Sequence, residues 1–130
     1  MGLEERRKIK EYQDKQVPER TAELAEICGS PVAYDVDWTS FAEDAEAIKY
    51  LDNVAFHRIN MAMRTLCVDA LAKDAVRDSL KTIRIKNVKS EGERGMSLAG
   101  GVLDMKFSYA QGLSGACSDR EIYNTLVKAL

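Results

Sequence analysis

A run of apolar residues between Phe41 and Cys67 constrains the fold more than any other feature of this chain. One set recurs at steps of three or four, as on one face of an α-helix: Phe41, Ala45, Ile48, Leu51, Ala55, Ile59, Met63 and Leu66. A second set lies on another face: Tyr50, Val54, His57, Met61 and Val68. Because a helix that is apolar on most sides lies inside a core, the pattern predicts one long central helix over 41–67.

Signals on both sides of this helix predict its neighbours. Ser40 and Glu43 have the spacing of a capping box, which predicts that the helix begins at Ser40. The segment 32–38 alternates apolar and polar residues and is therefore predicted to be a strand. A shorter helix is predicted over 73–81.

The N-terminal segment is rich in Glu, Arg, Lys and Ala and predicts a helix over 3–28. Pro18 interrupts it, so we expect two helical pieces or a kink, with Pro18 at the first position of the second piece. Gly29 suits a left-handed cap. The part before Pro18, residues 1–17, is a polar extension that would dock on the body, pair with another copy, or fray.

The C-terminal part switches to the period of two that is typical of strands. Residues 82–88 form the first such segment, and Gly100-Gly101 predicts a tight hairpin turn between two further strands. We expect a three-stranded antiparallel meander with one buried and one solvent-exposed face. Ser118 and Glu121 form a second capping box, which predicts the start of the last helix.

These elements together predict the α+β class in a single domain, 1–130. The expected order is helix, strand, long helix, short helix, three-stranded antiparallel meander and helix, with the long helix packed centrally on the sheet.

Composition and charge indicate where the protein is located and which ligands it is not expected to bind. The 130 residues carry a net charge of −2, which does not favour general polyanion binding. No apolar run approaches the roughly 20 residues of a membrane span, and the N-terminus lacks the core of a secretory signal. Three widely spaced cysteines favour a reducing compartment. We therefore expect a soluble, cytoplasmic protein that does not bind membranes.

The single histidine, His57, does not indicate an active site. A catalytic histidine needs an orienting partner, and its helical neighbours Asn53, Asn60 and Met61 include no carboxylate. The three cysteines and His57 lack the spacing of zinc ligands. We accordingly predict no catalytic residue, no metal and no cofactor, and we lean against an enzyme.

Two hypotheses about function follow. The first is a non-enzymatic interaction or adaptor domain that self-associates, for example as a homodimer, or binds another protein. Residues 35–52 are mainly acidic and residues 77–94 mainly basic, so charged surfaces are expected to meet a partner. The predicted partner surface comprises Arg7, Lys10, Tyr12, Arg84 and Lys86.

The alternative hypothesis is a domain that binds a small ligand or an anion. The small residues of the 111–118 loop precede a helix start, where backbone N–H groups favour anions. The predicted pocket lies between the long helix and the sheet and comprises His57, Tyr109, Gly112, Ser114 and Gly115. Nucleic-acid binding is not expected, because Phe107 and Tyr109 have the opposite strand parity to Lys106.

Overall fold

The computed structural model, which describes residues 2–130, begins with one continuous helical rod. It consists of α1 (Leu3–Glu11), a π-helical turn (Tyr12–Gln16) and α2 (Val17–Cys28). Pro18 is the second residue of α2, and the preceding π turn accommodates the missing N–H group without ending the helix. The predicted left-handed cap is confirmed, since Gly29 has φ 73° and donates to the carbonyl of Ala25.

The polar N-terminal extension docks on the body of the protein. Ile9 and Tyr12 are both buried in the core. The Tyr12 hydroxyl donates a hydrogen bond of 2.7 Å to the carbonyl of Ile48. Of the three arrangements that the sequence left open, the structure therefore has the docked one.

The predicted long helix is interrupted near its start. The chain forms β1 (Ala33–Val36), a short α3 (Trp38–Phe41), then α4 (Ala45–Tyr50), a π turn (Leu51–Phe56) and α5 (His57–Leu66). The predicted start at Ser40 is wrong. Ser40 lies inside α3, and the two caps are the carboxylates of Asp37 and Asp44, which accept from the N–H groups of Ser40 and Ala47.

The π turn is the part of this helix that is covered on most sides. Val54, Ala55 and Phe56 are buried in succession, and three successive helical residues point in different directions. The first predicted stripe is largely buried. The second is not, since His57 is exposed and Met61 and Val68 are 41% and 73% exposed.

The four strands form one mixed sheet in the order β1-β2-β4-β3. The remaining strands are β2 (Thr82–Asn87), β3 (Gly95–Ala99) and β4 (Val102–Phe107). β1 and β4 both pair with β2 in parallel, and β3 pairs with β4 antiparallel across the Gly100-Gly101 turn.

The predicted antiparallel meander is therefore wrong, although the hairpin is confirmed. The hairpin is placed so that β4 lies next to β2, while β3 takes the edge. Burial follows this order: Leu103 and Met105 of β4 are fully buried, whereas Met96 and Leu98 of β3 are only half-buried. The strand with the better-buried apolar face occupies the interior of the sheet.

Helices cover one face of the sheet. Phe56 packs edge-on against Tyr34 of β1, with ring centroids 4.9 Å apart. The layer also contains α6 (Ala70–Ser79) and α7 (Asp119–Ala129). Ser118 accepts from the Glu121 N–H group, so the predicted start of the last helix is confirmed. Among residues 2–130, no helix has the length and apolar character needed to cross a bilayer.

Candidate interaction surface

The face of the sheet that the helices leave open is here called the outer face. It consists of the outward residues of the four strands: Ala33 and Asp35; Thr82, Arg84 and Lys86; Gly95, Ser97 and Ala99; Val102, Asp104 and Lys106. Eight of these residues are exposed, and the other three are half-buried. Sheets with mainly parallel pairing usually have both faces covered, so an outer face of this kind is an unusual feature.

Charged residues form two rows across the outer face. In the first row Asp35, Arg84 and Asp104 are neighbours in the strand register, and Arg84 Nε lies 3.3 Å from Asp35 Oδ2. In the second row Lys86 and Lys106 lie directly opposite each other, and such like-charge pairs repel. Within the described residues, Asp104 Oδ1 is buried without a hydrogen-bond partner.

The edge strand β3 adjoins this face and carries neither charge nor proline. Edge strands of native proteins are usually protected by charged residues, prolines or bulges. Gly100 and Gly101 have φ of 58° and 82°, as in a type I′ turn, so Ala99 and Val102 form a hydrogen-bonded pair. By alternation, the backbone groups of Met96 and Leu98 point away from β4. No residue in 2–130 forms a hydrogen bond with them.

A second polar cluster lies between α2, the second π turn and β1. Arg20 donates to both carboxylate oxygens of Asp52, each at 3.0 Å, and to Glu23 at 3.1 Å. Asn60 donates to Glu23 at 2.7 Å and accepts from the Tyr34 hydroxyl at 2.5 Å. Burial raises the pKa of Tyr34 well above its usual value. Because these groups satisfy one another, the cluster holds the fold together and offers no open ligand position.

The Glu23 carboxylate in this cluster gives a pH-dependent prediction. Hydrogen bonds from Asn60 and then Arg20, together with the charges of Arg20 and Arg64, lower the pKa of Glu23. A lowered folded-state pKa contributes stability that is present above the unfolded-state pKa and is lost as the pH falls through the folded value. Glu23→Gln is thus expected to cost about 1 kcal/mol at pH 7, and the cost should shrink towards pH 3.

Urea unfolding at several pH values measures this difference. The matched control is Glu19→Gln on the same helix, where the carboxylate is exposed and no described residue bonds to it. A Glu23→Gln cost that stayed constant from pH 7 to pH 3 would contradict the assignment.

A cavity of about 400 Å³ lies at the carboxyl ends of β1 and β2, where α/β sheets often bind ligands. Asn87 on its wall is buried. Its amide nitrogen donates to the Ser40 carbonyl and to Asp44, each at 3.1 Å. Its oxygen accepts from the Tyr109 N–H group at 3.2 Å. These bonds connect the end of β2 to α3, to the start of α4 and to Tyr109, so the Asn87 amide is already occupied by the protein itself.

The residues of the predicted ligand pocket differ in their exposure to solvent. His57 is exposed, whereas Tyr109 is fully buried and has no hydrogen-bond partner for its hydroxyl among the described residues. Burial raises the pKa of Tyr109. Gly112, Ser114 and Gly115 do lie together, at the 3₁₀ segment Tyr109–Ser114, but Gly112 packs against the ring of Tyr50. Neither His57 nor Tyr109 lines the cavity at the strand ends.

The residues of the predicted partner surface divide between two parts of the molecule. Arg7 and Lys10 are exposed on α1, which packs on α4, while Tyr12 points into the core. Arg84 and Lys86 lie on the outer face. The β3 edge was not predicted from the sequence, although the uncharged run between Arg94 and Asp104 was a usable signal.

The three cysteines are buried free thiols. A hydrogen bond between the Cys28 and Cys67 side chains raises the pKa of Cys28 and lowers that of Cys67. Burial raises the pKa of Cys117 to about 12. Among residues 2–130, no group of three or more acidic, histidine or cysteine side chains is placed to hold a metal ion.

No protein-family model, curated protein or solved structure matches this chain.

Proposed function

We propose that this protein is a non-enzymatic interaction domain that self-associates through its sheet. The observation that carries the proposal is the uncharged edge strand β3, whose outward backbone groups have no partner among residues 2–130. An edge of this kind is a template for pairing with another chain. The adjoining outer face supports the same function, because helices leave it open.

The distribution of polar groups supports an interaction domain over an enzyme. In the polar clusters around Asn60 and Asn87, the side chains form hydrogen bonds that connect secondary-structure elements. The outer face is an exposed polar surface that no helix covers, and such a surface suits contact with a macromolecule.

Light scattering over a range of protein concentrations tests the proposal. We expect the mass to rise from the 14.5 kDa of the single chain towards twice that value as the concentration increases. As a control, the double variant Arg7→Glu/Lys10→Glu changes the exposed charge on α1 and is expected to leave the dimerisation unchanged. A 130-residue protein that stays at 14.5 kDa at every concentration would refute self-association.

A further inference from the structure

We infer that two copies of this chain pair their β3 strands antiparallel about a two-fold axis through Ser97, which joins two four-stranded sheets into one sheet of eight strands. The inference rests on the proposed self-association and specifies the surface, the partner and the register. The occupant of the edge is thus a second copy of the same chain. Closed two-fold dimers of this kind use one surface patch twice.

Backbone geometry selects the register. The outward groups of β3 belong to Met96 and Leu98, which stand on either side of Ser97. With the axis at Ser97, Met96 of one copy faces Leu98 of the other, and each such pair exchanges two hydrogen bonds. All four outward N–H and C=O groups of each strand are then satisfied. A strand with an odd number of residues and two outward positions placed symmetrically about its centre is complementary to itself.

The side chains agree with this register on both faces. On the inner face Met96 and Leu98 are only half-buried in the single chain, so pairing brings their apolar side chains together across the junction. On the outer face Gly95, Ser97 and Ala99 are exposed and small, and they leave room for a second strand. No like charges meet, because β3 has none.

The opposite edge of the sheet is much less suited to pairing with itself. β1 has four residues and carries the exposed Asp35. Two copies that paired through β1 would bring their Asp35 carboxylates close together, and like charges across paired strands are destabilising. Pro31, two residues before β1, has no N–H group to extend the ladder. The self-complementary edge is therefore β3.

Cysteine cross-linking in the 130-residue protein tests the register. Ser97 occupies a non-hydrogen-bonded position at the axis, where opposed Cα atoms lie about 4.5 Å apart, which is within disulfide range. We expect Ser97→Cys to give a covalent dimer as its main product with oxidised glutathione, on a non-reducing gel. The native cysteines are buried and give little background.

Two variants serve as position controls. Ala99→Cys lies on the same exposed side but faces Gly95 of the second copy, so its own counterpart is too far away to link. Ala33→Cys is also at an exposed position, on the opposite edge of the sheet. We expect little covalent dimer from either. Equal linking by Ala99→Cys would overturn the register, and equal linking by Ala33→Cys would overturn the choice of edge.

A charge placed at the axis gives an independent readout. Ser97→Lys places two positively charged ammonium groups opposite each other at the axis. We therefore expect the dissociation constant of the dimer, measured by light scattering, to rise at least tenfold. The matched Ser97→Thr variant is expected to dimerise as the unmodified chain does. Suppose the unmodified protein is dimeric, Ser97→Cys gives no covalent dimer and Ser97→Lys does not weaken the dimer. The pairing through β3 would then be overturned, while the proposed self-association would stand. A monomer at all concentrations would refute both.

Discussion

Replacing Phe56 with alanine is expected to lower the free energy of unfolding by about 3–5 kcal/mol. Phe56 ends the second π turn and is fully buried. Its ring makes edge contacts with Tyr12 of the N-terminal rod, at 6.5 Å between centroids, and with Tyr34 of β1, at 4.9 Å. The side chain therefore joins the N-terminal rod, the helix over 45–66 and the sheet, and its loss leaves a cavity where all three meet.

Urea unfolding of the full chain, followed by far-ultraviolet circular dichroism, measures this loss. Because domains of this size are stable by about 5–15 kcal/mol, the change is a large part of the total. Phe107→Ala is the matched control: Phe107 is only half-buried at the end of β4, so a smaller loss is expected. An equal loss for the two variants would contradict the central position of Phe56.

Local signals in the sequence predicted several element boundaries correctly. Gly29 ends the rod, Ser118 starts the last helix, and Gly100-Gly101 makes the hairpin turn. Each signal depends on conformational preferences or bonds within a few residues. The alternation of buried and exposed residues in 82–87 was also predicted from the sequence. Successive side chains of a strand point to opposite faces, and only one face of this sheet is covered.

The helix over 45–66 shows where such signals end. Its two apolar stripes could be identified from the sequence, but the stripe containing His57 and Met61 faces solvent there, although it was predicted to pack. The spacing of residues within one helix does not determine which of its faces another element covers. Strand order is a second case, since β4 pairs with β2 although the two strands are separated in sequence by β3.

The candidate surface was predicted only in part. Arg84 and Lys86 were placed on an exposed strand face, and they lie there. The edge position of β3 was not predicted. The antiparallel meander had placed β3 between the other two strands, whereas β4 lies inside the sheet and β3 lies at its edge. The pair of Arg20 and Asp52 is separated by 32 residues, and no local pattern connects them.

Gly115→Ala is expected to destabilise the protein by about 3 kcal/mol, although the backbone angles of Gly115 suit any residue. A Cβ atom at this position would lie 1.9 Å from the carbonyl oxygen of Ser108 and 2.8 Å from the Cβ of Gln111. Gly115 has φ −91°, so the cost comes from the steric clash and not from backbone strain. The Ser108 N–H group donates to the Gly115 carbonyl at 2.8 Å, which holds the two segments together.

The loop must open to admit the methyl group, so the Ser108 amide should also lose protection in hydrogen exchange. Gly92→Ala is the matched control, because nothing lies within 4 Å of a Cβ atom there, and a change within about 0.5 kcal/mol is expected. If Gly115→Ala were as stable as Gly92→Ala, the close approach of Gly115 to Ser108 would be refuted. Since the Cys117 carbonyl accepts from Arg58 at 2.9 Å, opening the loop should also loosen its attachment to α5.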